Sequence, residues 1–212
     1  ARIELLDDLQ MQACIKFSNL NEFKPLPTLF FEFHGSENGV LEQTKTIQEI
    51  SSEFGGHNFD WKNIPEERNR LWQARHDAYY AAIASKPGCV AWSSDVCVPI
   101  TAMANFIIET KKELKSLSLN APLVGHVGDG NFHLLYLVDP ENQKEFKIAK
   151  EHNEKMVEKA ISLGGTCTGE HGIGYGKAHS LALEAGASIN IMKGIKNALD
   201  PNGILNPGKI FI

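Results

Sequence analysis

The chain has 212 residues, 42% hydrophobic and 22% charged, with a formal net charge of -5, which suits a globular polypeptide of one or two domains. No dense Lys/Arg run marks a nucleic-acid footprint, and no apolar stretch approaches the ~18 residues of a membrane-spanning helix. Cys14, Cys89, Cys97 and Cys167 are far apart and form no CxxC pair, so free thiols in a reducing compartment are expected. The chain starts at Ala1 with neither an initiator Met nor a signal-peptide pattern; either something was removed upstream or this is a piece of a longer polypeptide.

Residues 2–6 (Arg-Ile-Glu-Leu-Leu) read as a strand and Asp8 to Ser18 as a short amphipathic helix. Pro25 and Pro27 bracket a loop before the strand Thr28 to His34, and Asn38 to Phe54 has the helical period, stopped by Gly55-Gly56. Pro65 followed by Glu66-Glu67 starts a helix predicted to run to about Ser85. Arg75 falls on its apolar stripe, four residues after Leu71 and four before Tyr79, where a guanidinium must find a partner. It serves either as a stem covering apolar surface or as a clamp for a carboxylate, whose two oxygens match its planar fork. Cys89 to Ile100 reads as a strand ending at Pro99, and Thr101 caps a helix to about Leu117.

Two apolar runs then flank Gly125-His126-Val127-Gly128-Asp129-Gly130-Asn131-Phe132-His133. A two-residue hairpin turn at Asp129-Gly130 would set His126 directly opposite His133, with Cβ atoms roughly 5 Å apart, close enough for two imidazoles to share one metal ion. Glu141 to Leu163 is a long charged helix in which His152 is expected to be solvated. The run Gly164 to Lys177 carries six glycines besides Glu170 and His171. It fits neither a Walker loop nor a dinucleotide fingerprint, and its adjacent carboxylate and imidazole suit a metal ligand with a base beside it. A last helix covers about Ser188 to Leu199, and two Pro turns shape the tail.

These motifs occur in a fixed order: Pro87-Gly88-Cys89, Ser94-Asp95-Val96-Cys97-Val98-Pro99-Ile100, His126-x6-His133, Thr168-Gly169-Glu170-His171-Gly172-Ile173-Gly174 and Asn206-Pro207-Gly208-Lys209. With them the chain resembles the C-terminal part of the FAD-linked oxidases of the vanillyl-alcohol oxidase type, in particular their mitochondrial D-lactate dehydrogenases. The likeness covers nearly the whole chain. It implies an α+β fold, a ferredoxin-like antiparallel sheet covered by helices, with a C-terminal helical segment. Residues 1–165 would form an N-terminally truncated cap or substrate domain, and 166–212 a segment packing on a flavin domain absent from this chain, which alone would be inactive.

The resemblance further implies that His126, His133 and Glu170 hold a divalent metal, zinc or manganese, that His171 is the catalytic base, and that Arg75 binds the substrate carboxylate. Asn206 and Lys209 would contribute to binding FAD, held mainly by the missing domain. The implied reaction oxidises D-lactate to pyruvate in the mitochondrion, with an electron acceptor such as cytochrome c or an electron-transfer flavoprotein. Related D-2-hydroxyglutarate dehydrogenases carry a lysine where this chain has Ser94, which puts Ser94 in the substrate pocket and favours a monocarboxylate. Open alternatives are a D-2-hydroxyglutarate or glycolate dehydrogenase of the same family, a flavin-free metal hydrolase using His126, His133 and Glu170, and a non-catalytic binding module.

Overall fold

The computed structural model describes residues 2–211. In chain order the elements are β1 (Arg2–Leu6), α1 (Asp8–Ser18), β2 (Thr28–Glu32), α2 (Glu37–Glu53), α3 (Pro65–His76), α4 (Ala78–Ser85) and β3 (Val90–Ser93). They continue with β4 (Val96–Cys97), α5 (Ile100–Ser116), β5 (Leu123–Gly125), β6 (Asn131–Val138), α6 (Gln143–Ser162), α7 (Ala178–Ala185) and α8 (Ser188–Leu199). The strand pairings are antiparallel throughout, and the class is the α+β arrangement that the resemblance implied. Two compact units divide the chain: Ala1–Pro87 with Pro122–Gly128, and Gly88–Ala121 with Asp129–Ile212.

In the first unit β1 pairs with β2 on one side and with β5 on the other. Asp7 caps α1 by accepting from Gln10 N (2.8 Å), and Asn19 ends it in the left-handed region. The core joins Leu6, Met11, Leu20, Phe30, Trp72 and Val124. The helix expected to run from Pro65 to Ser85 is instead two, broken at Asp77, whose carboxylate accepts from Ser18 Oγ (2.6 Å) and Gln73 Nε2 (2.8 Å). These contacts tie Asp77 to the end of α1, a tertiary demand that helical periodicity does not record.

The second unit is organised on β6, all eight residues of which are buried. β3 and β4 lie along it in one shared register, Ser93 facing Leu135 and Val96 facing Phe132, so the single strand expected from Cys89 to Ile100 is interrupted only at Ser94-Asp95. Alternation sends Phe132 and Tyr136 to one face, against Phe106 of α5 and His152 of α6, and Asn131 and His133 to the other. His152 is buried, not solvated: its Nδ1 lies 2.6 Å from Tyr136 Oη, and burial holds the imidazole below its ordinary pKa. The two-residue hairpin predicted at Asp129-Gly130 does not form. β5 stops at Gly125, residues 126–130 make a longer connection, and Gly128 N donates to Ile3 O (3.3 Å). Helix α7 follows the glycine-rich run directly and had no counterpart in the sequence reading.

Candidate functional site

In the first unit, alternation along β1 puts Glu4 on the same buried face as Leu6, and only 3% of the residue is exposed. A carboxylate in that position is costly unless its oxygens are satisfied. Glu4 Oε2 accepts from Arg75 Nε (2.9 Å), and Oε1 accepts from His126 Nδ1 (2.7 Å). Because a carboxylate bridging these two partners acts as acceptor, the proton of His126 is assigned to Nδ1 and the lone pair to Nε2. Arg75 Nη2 lies 3.4 Å from that Nε2. The partner that Arg75 required is therefore Glu4, which the sequence reading missed. The signal was weak: in Arg-Ile-Glu-Leu-Leu the ordinary reading of alternation turns the glutamate towards water.

In the second unit His133 projects from β6, buried, with its Nδ1 3.0 Å from Ser94 O. That contact explains the interruption of the strand. Ser94 N still donates to Leu134 O (2.9 Å), but the return bond from Leu134 N goes to Ser94 Oγ (2.8 Å). The hydroxyl replaces its own carbonyl in the ladder, and the carbonyl turns to the imidazole, again assigning the proton to Nδ1 and the lone pair to Nε2. Burial lowers the pKa of His133 from its ordinary value against the Ser94 carbonyl and the Asp95 charge, which favours the neutral ring. Ser94 is itself 2% exposed, with its hydroxyl committed to Leu134. In this arrangement Ser94 shapes the backbone under His133.

Asp95 anchors the glycine-rich run. Its carboxylate, 1% exposed, accepts from Thr168 Oγ1 (2.6 Å), Asn131 Nδ2 (2.8 Å), Gly169 N (2.9 Å), His171 N (3.0 Å) and Lys177 Nζ (3.1 Å). Burial alone would raise its pKa, but the Thr168 hydroxyl, the Asn131 amide, the His171 N–H and Lys177 together hold it far below the usual carboxylate range. Residue 169 has to be glycine, since a Cβ there would lie 1.9 Å from Asn131 Nδ2. Held this way, the run brings Glu170 Oε1 to 3.0 Å from His133 Nε2 and 3.8 Å from His171 Nε2, and stacks the His171 ring on His133 at 4.8 Å between centroids. Glu170 and His171 are half exposed. Asp95, His133 and His171 also form a close trio, but the oxygens of Asp95 are saturated by donors, which makes it an anchor and not a ligand.

Asn206 and Lys209 belong to the tail, away from these hydrogen bonds. Asp200 caps the turn by accepting from Ile204 N and Leu205 N (2.9 Å each), and Ile210 N donates to Gly174 O (2.7 Å). Asn206 is left-handed (φ 48), and Lys209 Nζ lies 5.0 Å from the Tyr175 ring centroid. With Lys193 and Lys196 these two residues line an open concavity of about 310 Å³ whose basic character suits an anion. Among the described residues no helix is long and apolar enough to cross a membrane.

Residues 1–210 match the family described as FAD linked oxidases, C-terminal domain. The chain is 49% identical over 212 residues to "Probable D-lactate dehydrogenase, mitochondrial" of Danio rerio, covering 100% of this chain and 42% of that protein. It is 43% identical to "D-lactate dehydrogenase [cytochrome], mitochondrial" of Arabidopsis thaliana, covering 100% and 37%. To "Glycolate oxidase subunit GlcD" of Bacillus subtilis it is 31% identical, covering 100% and 45%. The chain thus spans less than half the length of these relatives. Among solved structures, a 4-ethylphenol oxidase from Gulosibacter chungangensis in complex with isoeugenol matches with a TM-score of 0.73 at 16% identity, over 100% of this chain and 47% of that one. The likeness shows a common fold.

Proposed function

Since the chain belongs to the FAD-linked oxidase C-terminal domain family, we propose that it is the substrate- and metal-binding portion of a mitochondrial FAD-dependent dehydrogenase that oxidises D-lactate to pyruvate. The relatives named above support D-lactate as the acid, with glycolate the second choice through the GlcD subunits. The observation that carries the reading is the approach of Glu170 Oε1 to both His133 Nε2 and His171 Nε2, a carboxylate and an imidazole beside an exposed imidazole.

His126, His133 and Glu170 are proposed as ligands of zinc or manganese. The supporting fit is chemical: each histidine is tied through Nδ1, by Glu4 or by the Ser94 carbonyl, so that Nε2 is the coordinating atom, and two imidazoles with one carboxylate suit either ion. When bound, the ion supplies Lewis acidity that makes the substrate hydroxyl more acidic, and the flavin supplies the hydride acceptor that no side chain offers. His171, half exposed, takes the hydroxyl proton. Arg75 binds the carboxylate of the acid through the Nη nitrogens, its Nε being engaged by Glu4. Asn206 and Lys209 meet the flavin nucleotide from the tail, and the exposed apolar residues Ile191, Ile195 and Leu199 of α8 support packing of 166–212 on a flavin domain. The electron acceptor is proposed to be cytochrome c or an electron-transfer flavoprotein.

Anaerobic mixing of D-lactate with the flavin-loaded full-length protein that carries this chain together with its flavin domain, alongside elemental analysis, tests this reading. Bleaching of the oxidised flavin band that is lost on chelation and restored by zinc or manganese is expected. A flavin that D-lactate does not reduce would overturn the assignment.

A further inference from the structure

Glu4 touches neither the substrate nor the metal in the chemistry proposed above, yet it is a carboxylate almost wholly buried within the first unit, on the face of β1 that it shares with Leu6. Its two oxygens divide their partners with no overlap, Oε2 to Arg75 and Oε1 to His126. Side-chain exposure rises from 4% at Glu4 to 23% at Arg75 and 29% at His126, so the carboxylate is the deep end of the triad and the guanidinium and imidazole are its accessible ends. The consequence of the two bonds is visible in the pair they hold, Arg75 Nη2 and His126 Nε2, 3.4 Å apart.

We infer that Glu4 is a positioning residue that sets the substrate clamp and one metal ligand in a single geometry. Its Oε1 fixes the tautomer and the rotation of His126, and its Oε2 fixes Nε of Arg75, so that the Nη nitrogens face the same side as Nε2. A 2-hydroxy acid has its carboxylate and hydroxyl on adjacent carbons, and so needs a cation and a metal ligand held side by side. Arg75 and His126 are separated by 51 residues, and a shared acceptor spans that separation. This inference rests on the proposed roles of Arg75 and His126 and adds to them the group that couples the two.

The test compares wild-type holoprotein with Glu4→Gln and Glu4→Asp, reading zinc affinity by chelator competition, KM and kcat for D-lactate, flavin content and thermal midpoint. Loss of such a carboxylate partner typically weakens metal binding roughly 10- to 100-fold. Glu4→Gln should show that loss together with a rise in KM, because Arg75 and His126 bond to different oxygens and the amide puts a donor NH2 in place of one of them; flavin content should stay at the wild-type level. Zinc affinity and KM both unchanged in a folded Glu4→Gln protein would overturn the inference. So would a change in only one of them, since coupling is its content. If both variants fail to fold, 15N-histidine spectra of metal-stripped wild type decide: the Nδ1-protonated form of His126 is expected, and the Nε2-protonated form would reject the role. Wild type that binds neither zinc nor manganese would instead refute the proposed function, an outcome separate from these.

Discussion

Replacing Asp95 by asparagine keeps the size of the side chain and removes its charge, and the structure indicates which donors would feel the loss. Asn131 Nδ2 has a second acceptor in Val96 O (2.9 Å), Thr168 Oγ1 has Gly172 O (3.2 Å), and Lys177 Nζ has the main-chain carbonyl of residue 95 itself (3.0 Å). The N–H groups of Gly169 and His171 depend on the carboxylate, as does that of Glu170 through a longer contact of 3.3 Å; the two short bonds set the magnitude. A hydrogen bond to a charged group contributes ~1.5–3 kcal/mol and a neutral one ~0.5–1.5, so each of the two weakens by about 1 kcal/mol and the run holding Glu170 and His171 loosens by about 2 kcal/mol. At 1.4 kcal/mol per factor of ten, the amides of Gly169 and His171 should exchange with deuterium roughly 30-fold faster in Asp95→Asn, while β6 amides stay as protected as before. The pH dependence has a definite sign. The folded pKa of Asp95 is depressed, so its contribution is complete above the unfolded value of ~3.9 and fades as pH falls below it towards the folded one. The gap between wild type and variant should therefore be full at neutral pH and shrink below about pH 4. Equal exchange of these two amides at pH 7 would refute the idea that Asp95 anchors the run.

Arg75→Lys keeps the charge but loses the fork; with ~1.5–3 kcal/mol lost, kcat/KM for D-lactate should fall roughly 10- to 150-fold, and near-wild-type kinetics would reject the clamp. His133→Ala should abolish retention of zinc or manganese through gel filtration, read by elemental analysis, because two remaining ligands hold either ion poorly. Ser94→Lys should lower stability by more than about 2 kcal/mol, since it forces a cationic chain into a site 2% exposed and removes the hydroxyl that accepts from Leu134 N. A folded Ser94→Lys enzyme with increased turnover of D-2-hydroxyglutarate would instead place residue 94 beside the substrate.

What the sequence conveyed, and what it hid, follow from the range of the forces involved. β1, α1 and α8 were legible to the residue because local pattern and caps decide them: Asp7 and Asn19 bound α1 within its own neighbourhood. The division of α3 from α4 was hidden because Asp77 answers to Ser18, 59 residues away. The interruption at Ser94-Asp95 was hidden because it depends on a carbonyl diverted to His133, 39 residues on. Expected positions 133, 170 and 171 do meet, but through a device no spacing announces, the buried carboxylate of Asp95 drawing Thr168, Gly169 and His171 onto β4's approach. Arg75 was recognised as needing a partner; that the partner was Glu4 required knowing which face of β1 is covered. Asn206 and Lys209 were suggested by the resemblance alone, and the tail geometry adds a basic concavity around them.

The Glu4–Arg75 pair also marks where selection for robustness would mislead. A buried ion pair exchanged for well-packed apolar side chains of similar volume is often neutral or stabilising by ~1–4 kcal/mol. Random libraries screened for heat resistance alone should therefore enrich leucine, methionine or valine at positions 4 and 75, yielding sturdier variants without the proposed carboxylate clamp. On the proposed roles, engineering of this chain for shelf life has to hold those two positions constant.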